Sequence, residues 1–331
     1  MKEEHHAVRP GALRRVTDVL IMFGPLIGLI AIFGLFTALA PPGFASIENM
    51  ETILRQTAIV AVAAMGMTLV IVLGGIDLSV GSVVALGTVV VAWMLQYAHA
   101  SPATAALLGI GAGAACGLIA GLLITRLRVV PFIITLGMML VVRGIAKGLA
   151  GEQKIDAPLT WLNTLLARLQ PEQAWMLAPA GVWLMILLAV LTAVLLKFTR
   201  FGRHVFAVGS NENTARLCGV AVNRIKLAVY TLAGLTFGLS GLLQFSRLTV
   251  GDPTVAVGLE LDVIAAVVIG GGSLSGGEGS VFGSLIGALI MSVIRSGCSQ
   301  MGLPNWAQEI VTGGIIVIAV ALDRLRHRSG E

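Results

Sequence analysis

Six ionisable residues interrupt otherwise apolar stretches: Asp77, Arg143, Glu260, Asp262, Arg295 and Glu309. A charge at the centre of a lone membrane helix costs about 2.5–3.5 kcal/mol, so such groups face a cavity, a partner or water. Two readings fit. In the first they cap helices and form ion pairs, since Asp77 and Asp262 stand at helix starts, where the dipole favours an anion. In the second, Asp77, Ser79, Arg143, Glu260 and Asp262 line a sugar-sized translocation path. The residue types leave both open. No chain of Asp, Glu and His suggests a proton relay, so a secondary transporter driven by an ion gradient stands only as the alternative function.

Catalytic chemistry finds no foothold. Gly270 to Gly279 reads GGGSLSGGEG, with Glu278 where a phosphate-binding loop needs a lysine, so it predicts a tight bend. The histidines lie near termini or loops and suggest no metal site. Cys116, Cys218 and Cys298 are far apart and match no metal spacing; Cys116 and Cys298 read as packing residues and Cys218 as a reduced thiol. The chain is expected to be no enzyme and to bind no cofactor of its own. Its net charge of +5 sits at the ends of apolar runs, which argues against a nucleic-acid partner.

The strongest polar signal is the stretch from Thr199 to Lys226, TRFGRHVFAVGSNENTARLCGVAVNRIK. Ser210 or Asn211 is a good N-cap, Asn211 to Cys218 allows about two turns, and Gly219 suits the C′ position. So short a polar helix is marginal alone, and docking on another protein would stabilise it. Its bland reading is a solvated basic loop.

The elements that must hold these residues are membrane helices. Of 331 residues 56% are hydrophobic and 12% charged, against about 25% charged in a soluble domain. Ten apolar runs begin at Val19, Thr57, Val80, Ala103, Val129, Met176, Leu227, Val263, Val281 and Ile310. The first, Val19–Ala40, has 22 residues, too long for a signal-peptide core, and is expected to be retained. Several runs fall short of the ~20 residues of a full span, which suggests broken or tilted helices. With the N-terminus inside, 15 of the 22 basic residues lie on inner segments, so both termini are expected in the cytoplasm. The fold expected is an all-α polytopic membrane protein of about ten transmembrane helices. Residues 1–18 form a tail, 19–323 one permease domain, 199–226 an inner loop, 149–175 an outer segment anchored by Trp161 and Trp175, and 324–331 a second tail. The outer segment reads equally as a connector or as a platform for an extracytoplasmic partner.

Gly109, Gly113, Gly117 and Gly121 share one helix face and predict close helix packing, within a subunit or across a dimer; Gly234/Gly238 and Gly283/Gly287 repeat the spacing. Two Gly–carboxylate helix starts, Gly75–Gly81 and Gly258–Asp262, hint at an inverted repeat with one on each side of the membrane.

Five stretches, in order, resemble the membrane permeases of bacterial ABC sugar importers of the ribose/xylose/galactoside type. They are PGF (Pro42–Phe44), MGMTLVIVLGGIDLSVGSVVAL (Met65–Leu86), VVPFIITLGMMLVVRG (Val129–Gly144), AVGSNENTARLCGV (Ala207–Val220) and LELDVIAAVVIGGGSLSGGEGSVFGSLIGALI (Leu259–Ile290). The resemblance spans Pro41 to Asp323. It implies a ten-helix permease of the inner membrane, surrounded by lipid and paired with a second copy or a paralogous permease. Two ATP-binding subunits would lie beneath, holding ATP and Mg, and a periplasmic sugar-binding protein would dock above. It further implies that Asn211 to Gly219 is a coupling helix held by the ATPase. The contact would rest on Gly209, Ser210, Asn211, Glu212, Asn213, Ala215, Arg216 and Gly219. Other members often carry Ala at or near the position of Arg216.

Overall fold

The computed structural model describes residues 11–328, so Lys2, Arg9, His5, His6 and the extreme ends of both expected tails lie outside the described residues. Its regular structure is helical apart from one two-residue strand pair. The long helices are α1 (Gly11–Leu39), α2 (Ile47–Val72), α3 (Val80–Gln96), α4 (Pro102–Leu127) and α5 (Pro131–Leu149). After β1 (Ile155–Asp156) and the single turn α6 (Trp161–Thr164) come α7 (Ala180–Phe198), α8 (Arg200–Ser210), α9 (Glu212–Leu217) and α10 (Val222–Leu248). Then follow β2 (Val250–Gly251), α11 (Leu259–Ile269), α12 (Val281–Gln300) and α13 (Asn305–Arg328). The first and last helices outrun their apolar cores: α1 begins eight residues before Val19, and α13 continues through Arg324 and Arg326.

Six of the described helices (α2, α4, α5, α7, α10 and α12) are long and apolar enough to cross a membrane. The apolar stretches Gly24–Leu39 of α1 and Val80–Gln96 of α3 are shorter. Helix starts follow local chemistry. Ser46 caps α2 through the Asn49 N–H, Ser101 caps α4 through Thr104 with Pro102 in the first turn, and Ser280 caps α12 through Gly283. α4 stops where Arg128 turns left-handed, three residues before Pro131 starts α5.

The core is α2, with α3, α10 and α12 around it. Nearly all of α2 beyond Thr57 is buried, whereas α5 and α7 turn much of their surface outward. Lipid solvates Leu as well as protein does, so such helices are held by close backbone fit rather than by apolar burial. The α4 glycine face supplies that fit within this one chain. A Cβ on Gly117 would lie 2.1 Å from the Tyr230 carbonyl oxygen, and one on Gly113 would lie 2.4 Å from that of Gly234. The Gly113–Gly117 step thus interlocks with α10. Gly283 and Gly287 bring α12 equally close to Gly270 and Ala266 of α11.

Between α10 and α11 the chain leaves the helix. β2 pairs antiparallel with β1, Ile155 opposite Gly251. Residues 252–258 then run back along α3, with Gly251 against Thr88 and Ala92 and Ala256 against Gly81. Non-helical backbone among membrane helices survives only if its polar groups are satisfied. Thr88 Oγ1 bonds both the Asp252 carbonyl and its N–H, and Arg143 Nη1 donates to the carbonyls of Pro253 (2.9 Å) and Val255 (2.7 Å). This segment corrects one expectation. The two Gly–carboxylate helix starts do not lie far apart: a Cβ on Gly81 would touch the Ala256 carbonyl and Glu260 Oε2.

Candidate functional site

The polar stretch Thr199–Lys226 folds as two helices, one more than its capping signals indicated. Thr199 caps α8 by accepting from the Gly202 N–H. Gly202, Val205 and Val208 form its buried side, leaving Arg203 exposed. Phe201, Val205 and Val208 recur at helical spacing, a signal masked by the intervening Arg200, Arg203 and His204. Ser210 closes α8, and Asn211, with extended backbone, caps α9 by accepting from the Thr214 N–H at 2.9 Å. Cys218 ends α9, and Gly219 at φ +84° turns the chain into α10.

The α8–α9 pair is clamped at two points. Glu212 accepts from Lys226 Nζ at 2.7 Å and from Arg216 Nη2 at 2.9 Å, tying α9 to the first turns of α10. Burial alone would raise the Glu212 carboxyl, but the bond and charge of Lys226, joined by Arg216, hold it below its ordinary value. The second clamp is Gly209. A Cβ there would lie 1.8 Å from the Val72 carbonyl oxygen and 2.7 Å from the Gly277 N, with no flexible side chain to yield. The Gly277 N–H donates to that same Val72 oxygen at 2.9 Å. The end of α8, the end of α2 and the 270–279 bend therefore meet at one point. Asn213, Arg216, Leu217 and Gly219 remain exposed beyond it, and Ala215 is buried beneath.

At the opposite end of α2 lies a cavity of about 290 Å³ between α2, α10, α11 and α12. Gln56, Gln244, Arg247, Asp262, Ser292 and Arg295 are among its polar lining residues, with Ser299 and Gln308. Asp262, on the first turn of α11, is ion-paired to Arg295 of α12. The short segment between α5 and α7 packs at this end: Arg55 donates to the Leu166 carbonyl, Leu166 N–H donates to Ser246, and Leu169 N–H donates to Glu51. Trp161 and Trp175 stay exposed.

Of the five residues read as a possible polar path, only Asp262 lines this cavity. Asp77 is buried and accepts from the Ser79 N–H (2.8 Å) and Ser79 Oγ (2.6 Å), closing the turn before α3. Arg143 supports residues 253–255, and Glu260 accepts from the Gly258 N–H that starts α11. Arg295, singled out in the sequence only as an ionisable residue in an apolar stretch, lines the cavity too, whereas Gln56, Gln244, Arg247 and Ser292 carried no signal in the sequence. These five sit on three different helices and share a site only after folding. Cys116 and Cys298 are buried, and all three cysteines are free.

Residues 49–320 match the family model described as the branched-chain amino acid transport system / permease component. The chain is 40% identical over 303 residues to the ribose import permease protein of Escherichia coli K12, covering 91% of this chain and 93% of that one. It is 34% identical over 328 residues to the L-arabinose ABC transporter permease protein of Azospirillum brasilense, covering 97% and 93%. It is 37% identical over 305 residues to the fructose import permease protein of Rhizobium meliloti, covering 91% and 84%. No solved structure matches the chain. A polytopic helical bundle with a capped polar helix pair at one end, matched over most of its length to permease components, places this protein in that family: the chain belongs to the membrane permeases of ABC import systems.

Proposed function

We propose that this chain is the permease subunit of an ATP-driven importer, carrying a monosaccharide delivered by a periplasmic binding protein across the cytoplasmic membrane. The names of its sugar-importing relatives support the substrate class and disfavour coupling to an ion gradient. In this reading ten helices, α1–α5, α7 and α10–α13, enter the bilayer, and both termini face the cytoplasm. Residues 19–323 are the permease domain, 199–226 its coupling loop, 149–175 its outer segment, and 1–18 and 324–331 its tails. The chain works with a second copy or a paralogue; Gly137 and Gly144 of α5 have open space around them, as a further membrane helix would need. It holds no cofactor and performs no chemistry, and ATP and Mg belong to the partner ATPase.

The observation that carries this reading is the exposed, capped helix α9 mounted on the Gly209 contact. Leu217, an apolar side chain 88% exposed at its end, has no lipid-facing role there and suits a groove on the ATPase. Closure of two ATPase subunits would draw α9 of each permease together. α8 would pass the displacement to α2 and the 270–279 bend, opening the far end for sugar, and hydrolysis would reverse it. Leu217→Asp, and deletion of residues 210–219, should abolish retention of the ATPase subunit in a detergent pull-down while membrane insertion persists. Undiminished retention in both would refute the coupling role.

A further inference from the structure

The cavity between α2, α10, α11 and α12 holds an unmet set of polar valences. Asp262 is only 1% exposed, and Arg295 engages Oδ2 while Oδ1 has no hydrogen-bond partner. Ser292, 2% exposed on the neighbouring helix, likewise has an unpartnered Oγ. Leaving a buried polar group unpaired costs about 1–3 kcal/mol, more when it is charged. Two such atoms on residues lining one cavity form a feature that a ligand would satisfy. The remaining lining is complementary in kind. Gln56, Gln244 and Arg247 offer amide and guanidinium donors with no hydrogen-bond or ion-pair partner among the described residues.

We infer that this cavity is a monosaccharide site within a single permease copy, in which sugar hydroxyls donate to Asp262 and accept from Arg247, Gln56 and Gln244. A carboxylate oxygen and a serine hydroxyl beside amide and guanidinium donors is a lining for hydroxyl groups, which both donate and accept. The volume, about 290 Å³, lies at the small end of small-molecule clefts and fits one sugar ring rather than an oligosaccharide. Its frame supports the assignment. α11 has only 11 residues, too few to span a membrane, and is entered through the turns of residues 252–258; short, interrupted helices are where transporters place substrate groups. The Asp262–Arg295 pair also borders a second cavity of about 430 Å³, between α11 and α13. Breaking the pair would join the two, giving the sugar a way on. The inference rests on the permease reading and adds the location of a sugar within this chain.

The full chain in nanodiscs can be tested without its partners. Saturation-transfer NMR with D-ribose, L-arabinose and D-fructose as probes should give signal for at least one. Ser292→Ala should weaken that sugar about 3- to 10-fold, and Asp262→Asn by ten-fold or more. Should Asp262→Asn fail to insert, Gln244→Ala, which leaves the ion pair intact, should still weaken binding several-fold. No signal from any of the three sugars, or equal signal in wild type and variants, would overturn the assignment. The ATPase pull-down of the Leu217 variant is independent of this cavity, so failure here with coupling intact leaves the permease reading standing.

Discussion

Gly209→Ala is the smallest change that tests the junction between the polar helix pair and the membrane core. The added Cβ would lie 1.8 Å from the Val72 carbonyl oxygen, whereas real Cβ contacts stay beyond about 3.0 Å. Something must therefore retreat by more than 1 Å. The neighbours are all backbone, the end of α2 and Gly277, so no side chain can absorb the shift. Overpacking of this kind costs about 1–3 kcal/mol, and weakening the half-buried Gly277 N–H to Val72 bond adds about 1 kcal/mol. Alanine returns about 1 kcal/mol through its better helix propensity, which leaves a net loss of about 2 kcal/mol. The loss is local, so it should appear as a roughly thirty-fold drop in hydrogen-exchange protection of the Gly277 amide and the α8 amides, with α4 and α10 unaffected. In the assembled transporter the same variant should hydrolyse ATP with reduced sugar uptake. Unchanged protection at Gly277 would refute the claim that α8, α2 and the 270–279 bend share one rigid contact.

Two further outcomes follow from other contacts. Gly117→Ala drives a Cβ to 2.1 Å from the Tyr230 carbonyl and should destabilise the chain by about 1–3 kcal/mol, whereas Gly111→Ala, on the same helix with open space around it, should be neutral or stabilising; the order of their unfolding midpoints decides. Glu212→Gln removes both ion pairs of α9 and should loosen it by about 1 kcal/mol at neutral pH, since partly exposed pairs contribute about 0.2–1 kcal/mol each. Because the Glu212 carboxyl is held below its ordinary value, this stabilisation is present above the unfolded pKa and lost as pH falls through the folded one, so wild type and variant should converge in α9 protection only as pH falls below the ordinary carboxylate range.

What could be read before folding was what is encoded locally. The α9 helix was legible because its cap, Asn211, and its stop, Gly219, lie within a few residues of it. The glycine face of α4 was legible as a face, but four-residue spacing carries no address, and only the fold shows that Gly113 and Gly117 meet α10 inside the same chain. α8 was missed because its polar residues dominate, although its apolar residues keep helical spacing. The turn segment 252–258 was missed for a deeper reason. Its support comes from Thr88, Arg143 and Lys154, over a hundred and sixty residues away in the first case, and nothing in its own sequence announces them. That same arrangement explains why Arg143 and Glu260 resembled path residues: a half-buried charge holding backbone in place and one contacting substrate look alike in a sequence.

The two ends of the molecule are joined by few parts, and this makes communication between them testable. α2 runs from Gln56 at the cavity to Val72 at the Gly209 contact, sixteen residues or about 24 Å of nearly fully buried helix. The 270–279 bend, which touches the same point, joins α11 to α12, the helices that carry Asp262, Ser292 and Arg295. All the cavity's buried polar groups are thus one rigid element away from the α8 seat. Spatial continuity alone does not establish coupling, but binding linkage is reciprocal, so sugar in the cavity must bias the seat if the seat biases the cavity. A coupling of about 1 kcal/mol would change Gly277 amide protection about five-fold on saturation with the sugar that binds. Gly209→Ala should abolish that response while Gly111→Ala retains it. Sugar that binds with no effect on Gly277 would mean that the cavity and the coupling helices are independent, and that transport is driven through another part of the bundle.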